Sequence, residues 1–183
     1  LGIKGICLIS VKEILDIISN NLFNNLIWPD FTVIPSVTDA VLNPLEIPLE
    51  KETIINNIVI KPILMTHTVY TVGYVVKEGG RGFMFTSDTG STKRFWEDAG
   101  DEKGIDFIIA DVSFPNRLEN LAKISGHMTL SMLIEQIDKF GLGNMSFYIN
   151  HIKPIFLGEI LDEIKASGRK NIKVLEQGST LTI

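Results

Sequence analysis

Residues 105–154 read IDFIIADVSFPNRLENLAKISGHMTLSMLIEQIDKFGLGNMSFYINHIKP, and their order decides the fold class. Residues 105–110 form an apolar run broken only by Asp106, the pattern of a strand covered on both faces. Two segments with helical spacing follow, 118–124 and 129–140, and residues 145–150 return to a strand. Strand, helices, strand is the unit of a layered α/β fold with parallel strands. Polar residues punctuate that unit. Asp111 closes the first strand, His151 closes the second, and His127 sits in Ser125-Gly126-His127-Met128-Thr129 just before a helix. Strand ends that open into loops are where a rigid scaffold delivers functional side chains.

Toward the carboxyl terminus, residues 154–166 read as a helix, and 172–175 and 181–183 as short strands. Toward the amino terminus lies a short helix, 92–99. Before it, Gly79-Gly80 with Gly82 signals a hairpin leading into strand 83–86. Asp88 follows that strand in Ser87-Asp88-Thr89-Gly90. The β-rich runs 58–65 and 69–76 flank His67, and these early hairpins predict a mixed sheet. Residues 37–52, with Pro44 and Pro48, read as a loop or edge segment, and the prolines within 28–35 break the first helix. That helix carries Ile14, Leu15, Ile17, Ile18 and Leu22 at helical spacing after a Ser10/Glu13 capping-box pattern, itself preceded by a strand at 5–9.

At 183 residues the chain is expected to be one domain, residues 1–183, and its 45% apolar content excludes disorder. A net charge of −5 with no cluster of Lys and Arg argues against nucleic acid as a partner. The single cysteine, Cys7, lies between Ile6 and Leu8 and reads as a buried strand residue, which fits a reducing, cytoplasmic setting. No apolar run is long enough to span a membrane. The chain begins without Met inside an apolar segment, residues 1–10, as an internal start would.

The three histidines, His67, His127 and His151, all lie at strand ends or among small residues, and none is mid-helix. Taken singly, each reads as a hydrogen-bonded structural histidine, and Asp88 as a turn residue. Together with Asp88 and Asp111 they form a donor set of the kind zinc takes at hydrolytic sites. Two such ions about 3.5–4 Å apart activate water and clamp a phosphoryl group.

The order of motifs resembles the class II 3′,5′-cyclic-nucleotide phosphodiesterases. The resemblance rests on Phe23-Asn24-Asn25 with Trp28-Pro29, then His67, then Ser87-Asp88-Thr89-Gly90. It continues through Asp111 with Ser113-Phe114-Pro115-Asn116, Ser125-Gly126-His127-Met128-Thr129, and His151-Ile152-Lys153-Pro154. A more distant similarity to ribonuclease Z enzymes follows the same order. The resemblance implies a metallo-β-lactamase-type αββα sandwich and hydrolysis of cyclic AMP or cyclic GMP to nucleoside 5′-phosphates. It implies two divalent metal ions, zinc by donor type, with His67, Asp88 and His151 as ligands and Asp88 bridging. His127 is implied as the catalytic acid at the leaving oxygen, oriented by Asp111. A homodimer is compatible with it, and a membrane partner is not expected. Asp111 stands where Glu is more usual, Ser87 replaces a common Gly, and Leu130 stands where Pro is usual.

One part of the family pattern is absent. The His-x-His-x-Asp-His motif that binds the metals first does not occur, and no spare histidine could build it. The expectation is therefore an amino-terminally incomplete form of the fold, truncated rather than degenerate and inactive as this polypeptide. The rival readings are a ribonuclease Z-like or other phosphodiesterase on the same scaffold, and a non-catalytic interaction module.

Overall fold

The computed structural model describes residues 5–183. Residues 1–4, the start of the apolar amino-terminal segment, lie outside the described residues. The chain opens with β1 (Ile6–Ser10) and α1 (Lys12–Asn21) and returns as β2 (Leu42–Glu46), which pairs parallel to β1. A seven-stranded sheet follows, built in chain order from β3 (Thr53–Ile55), β4 (Ile58–Leu64), β5 (Val72–Glu78), β6 (Arg81–Phe85), β7 (Ile105–Asp111), β8 (Ser146–Asn150) and β9 (Ile172–Val174).

The sheet has two halves of different origin. From β3 to β6 the strands are antiparallel neighbours; two-residue turns join β3 to β4 and β5 to β6, and a longer loop, residues 65–71, joins β4 to β5. Gly79 and Gly80 make the β5–β6 turn at φ 58° and 84°, a left-handed geometry that costs glycine little. From β6 to β9 the pairing is parallel, so each strand needs a crossover. Helices supply these: α2 (Lys93–Asp101), then α3 (Glu119–Ser125) with α4 (Leu130–Lys139), then α5 (Leu157–Ser167). Parallel strands all end on one side, and the loops after β6, β7 and β8 therefore converge there.

Alternation along the strands divides the side chains between the two faces. Met84, Ile108, Phe147 and Ile149 are fully buried, in one core with Phe95 and Trp96 of α2, Leu133 and Ile137 of α4, and Ile160 of α5. Each such side chain contributes roughly 1.5–3 kcal/mol of burial. The opposite face carries buried Phe107 with half-buried Phe83 and Tyr148; Phe83 and Phe107 stack at 5.4 Å between centroids and Tyr148 is edge-on to Phe107. The small sheet reaches that face where Ser10 Oγ meets Tyr74 Oη at 2.9 Å.

The structure departs from the sequence expectation at several points. Cys7 is exposed rather than buried, because β1 lies in a two-stranded sheet that leaves one face open. Ser10 does not cap α1. Val11 occupies that position without a side-chain bond, and Ser10 is turned toward Tyr74. The irregular stretch 37–52 holds β2, and β3 was not anticipated from its three residues. Residues 181–183 form no strand. Among the described residues, no helix is long and apolar enough to cross a membrane.

Candidate functional site

All five polar residues singled out from the sequence meet at the end of the sheet where the parallel strands stop. Asp111 is the last residue of β7, His151 follows β8, Asp88 follows β6, His67 follows β4, and His127 lies in the turn between α3 and α4. The imidazoles are close: His127 lies 4.9 Å from His67 and 5.1 Å from His151 between ring centroids. Asp88 Oδ1 lies 3.5 Å from His151 Nδ1.

Backbone geometry prepares this meeting. Gly126 ends α3 at φ 70°. Its carbonyl accepts a hydrogen bond from His67 Nδ1 at 2.8 Å, and a Cβ at Gly126 would stand only 2.8 Å from that same nitrogen. Only glycine suits both the turn and the approach. His151 and Ser87 are non-glycine residues held at φ 61° and 54°. Such conformations persist where surrounding contacts impose them, and they cluster at functional sites. At Ser87 the compensating contact is Oγ donating to the Val72 carbonyl at 2.8 Å, which explains how Ser stands in a glycine-like position.

Hydrogen bonding fixes the proton positions of two rings. A carbonyl oxygen only accepts, so His67 carries its proton on Nδ1 and leaves the Nε2 lone pair free. His127 Nδ1 lies 2.6 Å from Asp111 Oδ2, which likewise places the proton on Nδ1. Asp111 is fully buried and completely engaged. Its Oδ2 also accepts from Thr89 N at 2.9 Å, and its Oδ1 accepts from Ser113 Oγ at 2.7 Å.

These bonds decide which carboxylate suits a metal. Candidate ligand atoms of Asp111, His127 and His151 lie within 4.8 Å of one another, a tighter grouping than the expected His67, Asp88 and His151. Proximity alone does not make Asp111 a ligand, because both its oxygens already accept hydrogen bonds from buried donors. Asp88 is the reverse case. Among the described residues its carboxylate accepts no hydrogen bond, and its side chain is 43% exposed and open to the site. No Lys or Arg pairs with either aspartate among the described residues, whose ion pairs there are with histidines. Two carboxylates without a resident cation, beside imidazoles with free Nε2 atoms, fit a divalent ion by donor chemistry.

Ser113 escaped attention as a site residue. Its Oγ lies fully buried in the middle of the cluster. A signal existed: Asp111 and Ser113 are two apart on extended chain, so their side chains fall on one side. Two cavities flank the site. One of about 680 Å³ is lined by His151, Asn150 and apolar residues including Leu157, Leu161 and Val174. The other, about 430 Å³, is lined by His67, Asp88, Tyr70 and Tyr74. Both volumes fall in the range of small-molecule sites.

No protein-family model matches the chain, and no curated protein matches it in sequence. Solved structures do match it in fold. Unliganded yeast PDE1 superposes with a TM-score of 0.78 at 16% identity, over 96% of this chain and 59% of that one. The metallo-β-lactamase fold protein YhfI from Bacillus subtilis gives 0.73 at 9% identity, over 98% and 66%. Human tRNase Z, short form, gives 0.62 at 14% identity, over 99% and 69%. The chain therefore has the metallo-β-lactamase fold, and it spans about three fifths to two thirds of the length of the first two structures.

Proposed function

We propose that the full-length protein is a metal-dependent phosphodiesterase that hydrolyses 3′,5′-cyclic nucleotides to nucleoside 5′-phosphates. One observation carries this reading: His127 and Asp111 form a buried, fully hydrogen-bonded pair beside Asp88, whose carboxylate is uncommitted. That arrangement separates a proton-handling pair from a cation-binding group within one cluster. The fold is shared with yeast PDE1, and the motif order of the sequence resembles the class II cyclic-nucleotide phosphodiesterases.

In this reading Asp88, His67 and His151 would hold two divalent ions, zinc by donor type. Bound there, such ions lower the pKa of water and offset charge developing on the phosphoryl oxygens. The rest falls to the chain. Water oxygen forms a bond to phosphorus as the bond to the 3′ oxygen breaks. His127, as an imidazolium whose Nδ1–H is held by Asp111, delivers its second proton from Nε2 to that departing oxygen, and the attacking water releases a proton in turn. The two flanking cavities offer room for the nucleoside on either side.

Replacing His127 by Ala in the full-length protein is expected to slow turnover of cyclic AMP or cyclic GMP by on the order of 10²–10⁴-fold. Zinc content, measured by atomic absorption, should remain. Zinc loss equal to that of an Asp88→Ala variant would contradict this division of roles. Cleavage of RNA without cleavage of cyclic nucleotides would favour a ribonuclease Z-like enzyme. The net charge of −5 and the lack of a basic cluster weigh against that rival. A full-length protein that neither binds metal nor turns over either substrate would be an interaction module.

A further inference from the structure

We propose that Ser113 is a positioning residue that fixes the tautomer of His151, so that all three imidazoles of the site present Nε2. The inference deepens the reading above only where it concerns metal. The tautomer itself follows from hydrogen-bond geometry.

Ser113 lies two residues beyond the end of β7, with its hydroxyl fully buried. Four groups crowd that oxygen: Asp111 Oδ1 at 2.7 Å, His151 Nδ1 at 2.9 Å, His127 Nδ1 at 3.2 Å, and the His151 carbonyl oxygen at 3.2 Å. A hydroxyl has one proton to give and can accept at its lone pairs. The question is which neighbour receives the proton.

Asp111 Oδ1 has the stronger claim. It is a buried carboxylate oxygen, it is the nearest of the four, and Ser113 is the one donor it has among the described residues. A hydrogen bond to a charged acceptor is roughly twice as strong as a neutral one. If the proton pointed at His151 instead, Asp111 Oδ1 would be left buried without a donor, which costs more than a bond is worth. The proton of His127 Nδ1 is likewise committed, to Asp111 Oδ2 at 2.6 Å. Ser113 Oγ therefore has only acceptor capacity left for His151. An unprotonated Nδ1 at 2.9 Å would set lone pair against lone pair, so His151 Nδ1 carries the proton and donates it to Ser113.

The result is one chain of hydrogen bonds. His151 Nδ1–H donates to Ser113 Oγ, and Ser113 Oγ–H donates to Asp111 Oδ1. His127 Nδ1–H donates to Asp111 Oδ2 from the other side. The backbone reinforces the link to His151: Val112 N donates to the Asn150 carbonyl at 3.2 Å and Lys153 N to the Ser113 carbonyl at 3.3 Å. Val112 and Ser113 thus grip the loop on either side of His151, a residue held in the left-handed region. His67 obtains the same tautomer independently from Gly126. Three different acceptors, a carbonyl, a carboxylate and a hydroxyl, select one protonation pattern.

Long-range ¹H–¹⁵N spectra of the metal-free protein with labelled histidine test this directly. They are recorded at about pH 8.5, above the usual imidazole range. The expected wild-type spectrum has His67, His127 and His151 all protonated on Nδ1. In Ser113→Ala, His151 should redistribute toward the Nε2–H form while His67 and His127 keep theirs, a change that general loosening of the fold would not confine to one ring. Ser113→Thr, which retains the hydroxyl, should keep the wild-type pattern. Zinc titration against a competing chelator should show affinity falling roughly 10–100-fold in Ser113→Ala. A wild-type His151 protonated on Nε2 would overturn the proposal without any variant, and so would a His151 unaltered in Ser113→Ala. If the wild-type protein binds no zinc, the metal reading fails while the tautomer spectra still decide the role of Ser113.

Discussion

Two polar clusters are built into this fold, and they solve the problem of charge in opposite ways. One joins α2 to the antiparallel half of the sheet. There Lys61 lies 2.7 Å from Asp98 and 3.2 Å from Glu102, Lys77 lies 2.6 Å from Glu102 and 3.4 Å from Glu52, and Arg94 lies 3.1 Å from Asp98. Cations and carboxylates balance within it. The other cluster, at the ends of the parallel strands, holds Asp88 and Asp111 with histidines and no Lys or Arg partner among the described residues. A balanced cluster needs nothing from outside. An unbalanced one, kept in a partly buried position, is poised to take a cation. We propose that the first serves stability and the second cation binding, and substitutions should separate them.

The largest expected effect is on metal. Asp88→Ala removes the carboxylate in the site that, among the described residues, no hydrogen bond claims. Its zinc affinity should fall by more than the roughly 10–100-fold that outer-sphere partners carry. Its unfolding free energy without metal should stay within about 0.5 kcal/mol of wild type, as for most substitutions away from packed features. Chelator-competition titration and urea unfolding measure the two. A large loss of metal-free stability would mean that Asp88 belongs to the scaffold and would erase the contrast between the clusters.

The opposite pattern is expected at Lys61. Lys61→Met leaves Asp98, whose side chain is only 8% exposed, with Arg94 alone. The loss should be about 1.5–3 kcal/mol, the range for hydrogen bonds to charged groups. Zinc affinity should not move. If both quantities fall together, the two clusters are coupled through the sheet and cannot be treated as separate devices.

The sequence made these clusters unequally legible. His127, His151, Asp88 and Asp111 stand beside apolar runs that read as strands or helices, so their convergence follows once the strands are parallel. The proton pattern did not follow, because it depends on distances between loops: Ser113 to His151 spans 38 residues and His67 to Gly126 spans 59. The ion-pair cluster left no trace in the chain, since Lys61, Lys77 and Glu102 are ordinary surface residues until β4, β5 and α2 are packed together. Cys7 failed for a related reason. An apolar strand implies burial only if another layer covers it, and β1 has one strand neighbour.

The smallest expected effect is a pH dependence, and it sharpens the same contrast. Burial alone would raise the Glu102 carboxyl, but hydrogen bonds from Lys77 and Lys61 outweigh it and hold Glu102 below its ordinary value of 4.5. A carboxylate held low in the folded state stabilises the fold fully at pH above its unfolded value. That contribution is lost as pH falls through the lower, folded value. Glu102→Gln lacks this dependence, so the two proteins should differ by about 1 kcal/mol at neutral pH. The difference should shrink as the medium is acidified below the ordinary carboxylate range. Lys77, raised by its bond to Glu102, gives the mirror image: its share is present at neutral pH and fades as pH climbs through its folded value above 10.5. Urea unfolding midpoints at a series of pH values resolve both limbs. A gap between wild type and Glu102→Gln that stays constant into acid would show that the Glu102 charge does no stabilising. The buried ion pairs of α2 would then be no more than hydrogen-bonded packing.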